Sequence, residues 1–355
     1  MKNMNDVDPD DLLGSLEDLE EIHRLPPIRN APLDRSRHQK NAGLQRKPRR
    51  SQAEVMASLV DDDPGGDTFE FTYHASRHER EWLVNSLGGF HESRWFDDVL
   101  RLLKGGKEAS VYQCAANPSV KAAFIAAKVY RPRRFRNLKN DHLYREGRAP
   151  LDADGNVILN GGMLHAMAKR TEYGLQLSHT SWIEHEYITL RMLHAAGADV
   201  PKPYACGDNA ILMEYIGGPS LSAPSLNEVQ LTSSEAKLLF QQILHNVELT
   251  LAQGRVHGDL SAYNVLYWEG KIKLIDFPQS IDPFVNRSAH LIFQRDMTRI
   301  CEYFQRQGVY CDSRQLAKQL WIAHGYRLRP EVHPRFLDSE DDSDLEYWKN
   351  LEKSD

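Results

Sequence analysis

Cysteine is scarce in this chain. The 355 residues contain four, at Cys114, Cys206, Cys301 and Cys311, and no two of them form a C-x-x-C pair. That spacing excludes a paired-cysteine zinc module or a thioredoxin-like motif. The expectation is instead of small, inert thiols in a reducing, cytoplasmic compartment. Long apolar runs are also missing. None approaches the ~20 residues that a membrane-crossing helix requires. The acidic start lacks the charged, apolar and small-residue blocks of an export signal. Neither membrane insertion nor export is expected. Positive charge is not in excess, with 44 Lys+Arg against 50 Asp+Glu and a net charge of −6. Global attraction to nucleic acid is thereby excluded, and any such contact needs a local basic patch.

Charge comes instead in blocks. Asp6 to Glu21 is acidic, Arg29 to Arg50 is basic and contains proline, and Asp61-Asp62-Asp63-Pro64-Gly65-Gly66 closes the region. Such blocks bury too little apolar surface to offset chain entropy, so residues 1–65 are expected to form a disordered charged tail. Residues 338–355 read as a second, acidic tail.

Between the tails the periodicity is that of a folded domain. Ser76 to Leu87 reads as a helix ended by Gly88-Gly89. Phe96 to Leu103 is strand-like and runs into Lys104-Gly105-Gly106-Lys107-Glu108-Ala109-Ser110-Val111-Tyr112, a hairpin with two glycines at its tip. Ala126 to Tyr130 is an apolar strand holding one lysine, Lys128. A lysine inside such a strand either snorkels to an edge or sets its ammonium on phosphates beside a carboxylate. The helix read over Ser181 to Ala196 offers that carboxylate. Ile183, Glu186, Leu190 and Leu193 share one stripe, whereas Glu184 lies about 200° from Glu186 around the axis. A glutamate on an apolar stripe needs a partner, and Lys128 is the candidate. Ala210 to Ile216 reads as a buried strand entering a Gly217-Gly218 hinge, where Glu214 and Ile216 would meet a nucleotide base through main chain alone. Thr232-Ser233-Ser234-Glu235 is a capping box opening a helix that stops at Gly254. Ser288 to Gln307 reads as a further helix with Asp296 on its apolar stripe, placed to accept bonds from the preceding loop backbone.

The chemistry concentrates between these helices. Val256-His257-Gly258-Asp259-Leu260-Ser261-Ala262-Tyr263-Asn264 is followed by Leu274-Ile275-Asp276-Phe277, so that Asn264 lies five residues after Asp259 and Asp276 twelve further on. One carboxylate to orient or deprotonate an acceptor, with an Asn and a second Asp to hold divalent metal, is what phosphoryl transfer from a nucleotide needs. A plain turn is the alternative for any one of these residues. It does not account for all three in this order.

The loop Gly106-Lys107-Glu108-Ala109-Ser110-Val111-Tyr112, the strand Lys128-Val129-Tyr130, His257-Gly258-Asp259-Leu260-Ser261-Ala262-Tyr263-Asn264 and Ile275-Asp276 together resemble the RIO family of atypical serine/threonine protein kinases, over roughly residues 96–309. The resemblance implies an α+β, trimmed two-lobed kinase-like fold, with an antiparallel N-lobe sheet plus a helix and a mostly helical C-lobe. On that reading residues 66–216 hold an N-terminal helix and the N-lobe, with a basic insertion at 131–180, and 217–337 form the C-lobe. It implies ATP with Mg²⁺ or Mn²⁺ as cofactors. Asp259 matches the catalytic Asp, Asn264 and Asp276 the metal ligands, Lys128 the phosphate-binding Lys and Glu186 its partner. Lys107, Ser110 and Val111 match the loop over the phosphates. In the family the residue matching Asp276 is itself a phosphate acceptor in one scheme, which keeps ATPase cycling open beside protein phosphorylation.

The leading expectation is therefore ATP-dependent transfer to Ser/Thr of a protein substrate, self-labelling included. No A-P-E-like segment follows Asp276, so a full peptide-binding lobe is not expected. A nucleotide-gated assembly factor for ribonucleoprotein particles is a second reading. A small-molecule kinase of the aminoglycoside or choline type, which shares H-G-D, is a third, and the Gly106 loop argues against it. The basic residues of 131–148, interleaved with Phe135 and Tyr144, are either a solvated face or a contact for RNA or a ribosomal particle.

Overall fold

In the computed structural model, residues 69–131, 144, 146–207 and 209–328 are described. The two charged tails and most of the basic run after Arg131 lie outside the described residues.

The chain enters through helix α1 (Arg77–Glu92), capped by the Ser76 hydroxyl, which accepts from the Glu79 N–H. Strands β1 (Phe96–Gly105), β2 (Ala109–Ala116), β3 (Phe124–Tyr130), β4 (Pro203–Cys206) and β5 (Ala210–Glu214) form one antiparallel sheet in the order β1-β2-β3-β5-β4. Alternation along β3 divides its side chains between two faces. Ile125, Ala127 and Val129 pack with Leu83, Leu87 and Phe90 of α1. Lys128 and Tyr130 take the other parity, and Tyr130 packs with Trp182 and Ile183. The two-residue period thus carries Lys128 away from the α1 core and toward the helix that holds Glu186.

That helix is preceded by α2 (Gly161–Ala168) and is itself α3 (Glu172–Ala195), with Thr171 as its cap. After the sheet come α4 (Ser233–Ala252), a hairpin of β6 (Val265–Trp268) and β7 (Lys271–Leu274), then α5 (Ala289–Arg306) and α6 (Ser313–Ala323). Their apolar stripes form one core in which Ile243 and Val247 of α4 join Met297, Ile300 and Phe304 of α5. The result is the α+β, two-lobed kinase-like architecture. Among the described residues no helix is long and apolar enough to cross a membrane.

Three expectations are corrected. Helix α1 does not stop at Gly88-Gly89. It continues to Glu92 because Phe90 extends the buried stripe of Leu83 and Leu87, and that burial outweighs two glycines at about 1 kcal/mol each. Helix α3 begins at Glu172, ahead of Ser181. Its added turns hold Gly174, where any Cβ would collide with the Ala166 carbonyl of α2. Close contact between two helices, invisible as periodicity, explains this glycine. Finally, Cys301 and Cys311 are not scattered. They face each other between α5 and the segment leading to α6, with Cα atoms 6.2 Å apart, within the range a disulfide can span. Cys114 and Cys206 are free.

Candidate active site

Lys128 sits in mid-sheet, opposite Val111 on β2 and Ile211 on β5. Its ammonium lies 2.6 Å from Glu186 Oε1 and 2.6 Å from Asp276 Oδ1. The second oxygen of Glu186 accepts from the Tyr130 hydroxyl at 2.6 Å. Both members of the Lys128–Glu186 pair are buried, whereas the Asp276 side chain retains 41% exposure. Burial alone would discharge Lys128, but Asp276 and Glu186 outweigh it and hold the ammonium above its usual range. Burial likewise opposes charge on Asp276, and the charge and hydrogen bond of Lys128 reverse it, leaving that carboxyl below its usual range. Glu184 is also buried, yet it stands apart from this pair, and burial raises its carboxyl.

The loop carrying Asp259 is built on a glycine. Gly258 has φ +83°, and a Cβ there would run into the Gln279 carbonyl. Only glycine permits this approach between the loop and the segment after Asp276. Val256 and Ile281 exchange both backbone hydrogen bonds below it. Asp296 accepts from the Gly258 N–H at 2.9 Å, the support role expected for an acid on that stripe. His257 is buried, packs against Phe277 in a tilted ring contact with centroids 4.5 Å apart, and hydrogen-bonds the Ile275 carbonyl through Nε2 at 3.2 Å. Phe277 itself is buried in the C-lobe core.

Asn264 stands on a 3₁₀ turn, and its carbonyl accepts from the Ile275 N–H at 2.9 Å, tying the two loops side by side. Its Nδ2 donates to the Asp259 carbonyl at 2.9 Å and to Asp259 Oδ2 at 3.2 Å. With both amide hydrogens directed at Asp259, Oδ1 is left as the side chain's acceptor. Asp276, at φ +73°, follows directly on Ile275. An amide oxygen and one carboxylate suit a hard cation that completes its shell with water and phosphate oxygens, as Mg²⁺ does. Among the described residues no cluster of three or more His, Cys, Asp and Glu could hold a metal alone. The donor set fits a phosphate-borne cation rather than a cation caged by protein.

Comparison with known proteins decides the family. The model of the RIO domain matches residues 160–316. The chain is 31% identical over 131 residues to the RIO-type serine/threonine-protein kinase Rio1 of Thermoplasma acidophilum, covering 37% of this chain and 67% of that protein. The chain belongs to the RIO family. It is also 36% identical over 133 residues to human serine/threonine-protein kinase RIO3, spanning 36% of this chain and only 25% of that relative. It is 29% identical over 217 residues to Rio1 of Haloferax volcanii, covering 59% of this chain and 64% of that one.

The remaining candidates in this RIO chain are spread more widely. Lys107 is exposed at the tip of the β1–β2 hairpin, where the Gly106 N–H closes a tight turn onto the Ala109 carbonyl at 2.9 Å. Ser110 is buried inside the ladder opposite Gly105 and Val129, and Val111 is half-buried opposite Lys104 and Lys128. At the hinge the Glu214 N–H donates to the Lys202 carbonyl at 2.8 Å, and the Ile216 carbonyl accepts from Ala223 at 2.9 Å. Those two groups are spent on the fold, so only the opposite main-chain groups stay candidates for a base. The Glu214 side chain reaches Lys273 of β7 at 3.5 Å.

Four further residues act on the site without having been singled out. Tyr130 was readable, since it lies two residues beyond Lys128 on the same strand face. Arg295 and Arg299 flank Asp296 on α5. Arg295 donates to the Gly258 carbonyl at 2.6 Å and to the Tyr144 hydroxyl, and Arg299 meets Asp259 Oδ1 at 2.8 Å. Arg148, grouped by sequence with a polyanion-binding run, turns inward and donates to the carbonyls of Pro278 and Ser280. Nothing in the local sequence signals that long-range contact.

Proposed function

We propose that this protein transfers the γ-phosphoryl group of ATP to a Ser or Thr hydroxyl of a protein, its own chain included. The reading rests on one observation: Lys128, bridged between Glu186 and Asp276, belongs to the same set of packed elements that places Asn264 against Asp259. Asp259 is the group we assign to orient the acceptor and take its proton while the acceptor oxygen bonds to the γ-phosphorus and the bond to the ADP oxygen breaks. Lys128 is assigned to the α- and β-phosphates, and Lys107, Ser110 and Val111 to the loop covering them. Glu214 and Ile216 are assigned to the adenine through main chain. Asn264 Oδ1 and Asp276 would hold Mg²⁺ or Mn²⁺, which neutralises charge between the phosphates. We propose a cytoplasmic setting and an RNA or ribosomal-particle contact through the basic residues of 131–148, without Arg148, which is engaged internally.

The test is incubation of the purified protein with γ-labelled ATP and Mg²⁺. Wild type is expected to label itself or an added protein, and Asp259→Ala to bind ATP without labelling. Neither labelling nor hydrolysis by wild type would refute the assignment. Identifying the labelled residue separates transfer to Ser or Thr from transfer to Asp276, the ATPase route. Deleting 131–148 tests the RNA contact, which is expected to be salt-sensitive.

A further inference from the structure

Helix α5 meets the Asp259 loop with three charged side chains, and they do different work. Asp296 accepts from the Gly258 N–H and Arg295 donates to the Gly258 carbonyl, so these two hold the peptide groups on either side of Gly258. Their side chains are 1% and 25% exposed, as befits structural supports. Arg299, one turn along the helix, reaches past the backbone to the reactive carboxylate, with Nη1 2.8 Å from Asp259 Oδ1. Here the exposures are 41% for Arg299 and 40% for Asp259. An ion pair this open to water adds little to stability, so it is poorly suited to a folding role. What it does fix is direction. Asn264 holds Oδ2 and Arg299 holds Oδ1, so the carboxylate is restrained at both oxygens. Each oxygen keeps a lone pair for an incoming hydroxyl.

We infer that Arg299 is a positioning residue that aligns the Asp259 carboxylate for the acceptor, opposite Asn264. The inference rests on the phosphoryl-transfer reading above. A carboxylate tethered at one oxygen only rotates about its χ2 bond and spends less time aimed at the acceptor proton. A misplacement of that kind costs turnover, on the order of 10- to 100-fold, without weakening nucleotide binding. Arg299 makes no bond to Lys128, Glu186 or Asp276, so ATP affinity has no reason to change.

The experiment compares wild type, Arg299→Ala and Arg299→Lys for turnover at saturating ATP and Mg²⁺, for dissociation of a fluorescent ATP analogue, and for melting temperature. Arg299→Ala is expected to lose about 10- to 100-fold in turnover with affinity and melting temperature held. Arg299→Lys keeps a cation without the planar fork and should recover part of the loss. Added methylguanidinium should restore part of the rate of Arg299→Ala and leave wild type unchanged. Wild-type turnover in Arg299→Ala overturns the inference, as does a loss that travels with ATP affinity or melting temperature. It is also overturned if neither Lys nor methylguanidinium recovers any rate. Wild type inactive in every assay would instead strike the proposed function itself.

Discussion

Replacing Lys128 by Met separates what the buried pair contributes to folding from what it contributes to binding. At 2.6 Å, each Lys128–carboxylate contact has a gross attraction of roughly 6 kcal/mol at an effective dielectric of about 20. Desolvation offsets much of this, so the intact cluster is close to neutral for stability. Breaking it is another matter. In Lys128→Met the Asp276 side chain, 41% exposed, recovers water, but Glu186 at 4% does not. Glu186 keeps only the Tyr130 hydroxyl. The variant should therefore lose about 3–5 kcal/mol, the cost of an uncompensated buried charge. Glu186→Gln leaves Lys128 paired with Asp276 and a neutral amide in place, and should lose only about 1–2 kcal/mol. The double variant removes the stranded charge and should be more stable than Lys128→Met, with a coupling energy of about 2 kcal/mol or more. Urea unfolding of the ATP-free protein at pH 7 measures all three. The reasoning is refuted if Glu186→Gln costs as much as Lys128→Met, or if the double variant is the least stable. A thermal shift with ATP and Mg²⁺ should vanish in Lys128→Met and stay absent in the double variant, whose fold is repaired but whose phosphate contact is not.

Four other outcomes are expected. Tyr130→Phe removes the 2.6 Å bond to Glu186 Oε2 and should cost about 1–2 kcal/mol in urea melts, with little further cost in a Glu186→Gln background. Gly258→Ala should cost about 1–3 kcal/mol from its φ of +83°, plus most of the turnover, because its Cβ displaces the Gln279 carbonyl. Gly270→Ala, at φ +78° with open space around it, should pay the backbone strain and leave turnover alone. His185 donates through Nε2 to the Ala149 carbonyl, and burial first, with Arg148 next, depresses its imidazolium from 6.5 to about 4. The unfolded chain therefore takes the proton first, and stability falls as pH drops from 6.5 toward 4. Denaturation midpoints of His185→Gln across that range should fall less steeply than those of wild type.

Within the site, whatever depended on local period was legible. Alternation along Phe124–Tyr130 sends Lys128 and Tyr130 to the same face. The stripe of Ile183, Leu190 and Leu193 turns Glu186 inward, and the box at Thr232 opens its helix with both reciprocal bonds. The spacing from Asp259 to Asn264 matches a turn that folds the amide back on the acid. Each of these follows from chain geometry over a few residues, which sequence encodes directly.

Other features came only from segments distant in sequence meeting in space. Gly88-Gly89 carries the local mark of a helix end, yet Phe90 finds the core and the helix continues. Gly174 has its reason in the Ala166 carbonyl of a neighbouring helix. Cys301 and Cys311 meet across the turn that follows α5. Arg148 and Arg299 carry no local signature, because their partners lie 130 and 40 residues away, at Pro278 and Asp259. The sequence by itself determined the family, the α+β class and which acids and lysine meet in the candidate site, since those rest on short-range period and spacing. Which arginines brace those acids, and which charges are stranded when one is removed, was decided by tertiary packing, which alone sets burial and the distance between remote side chains.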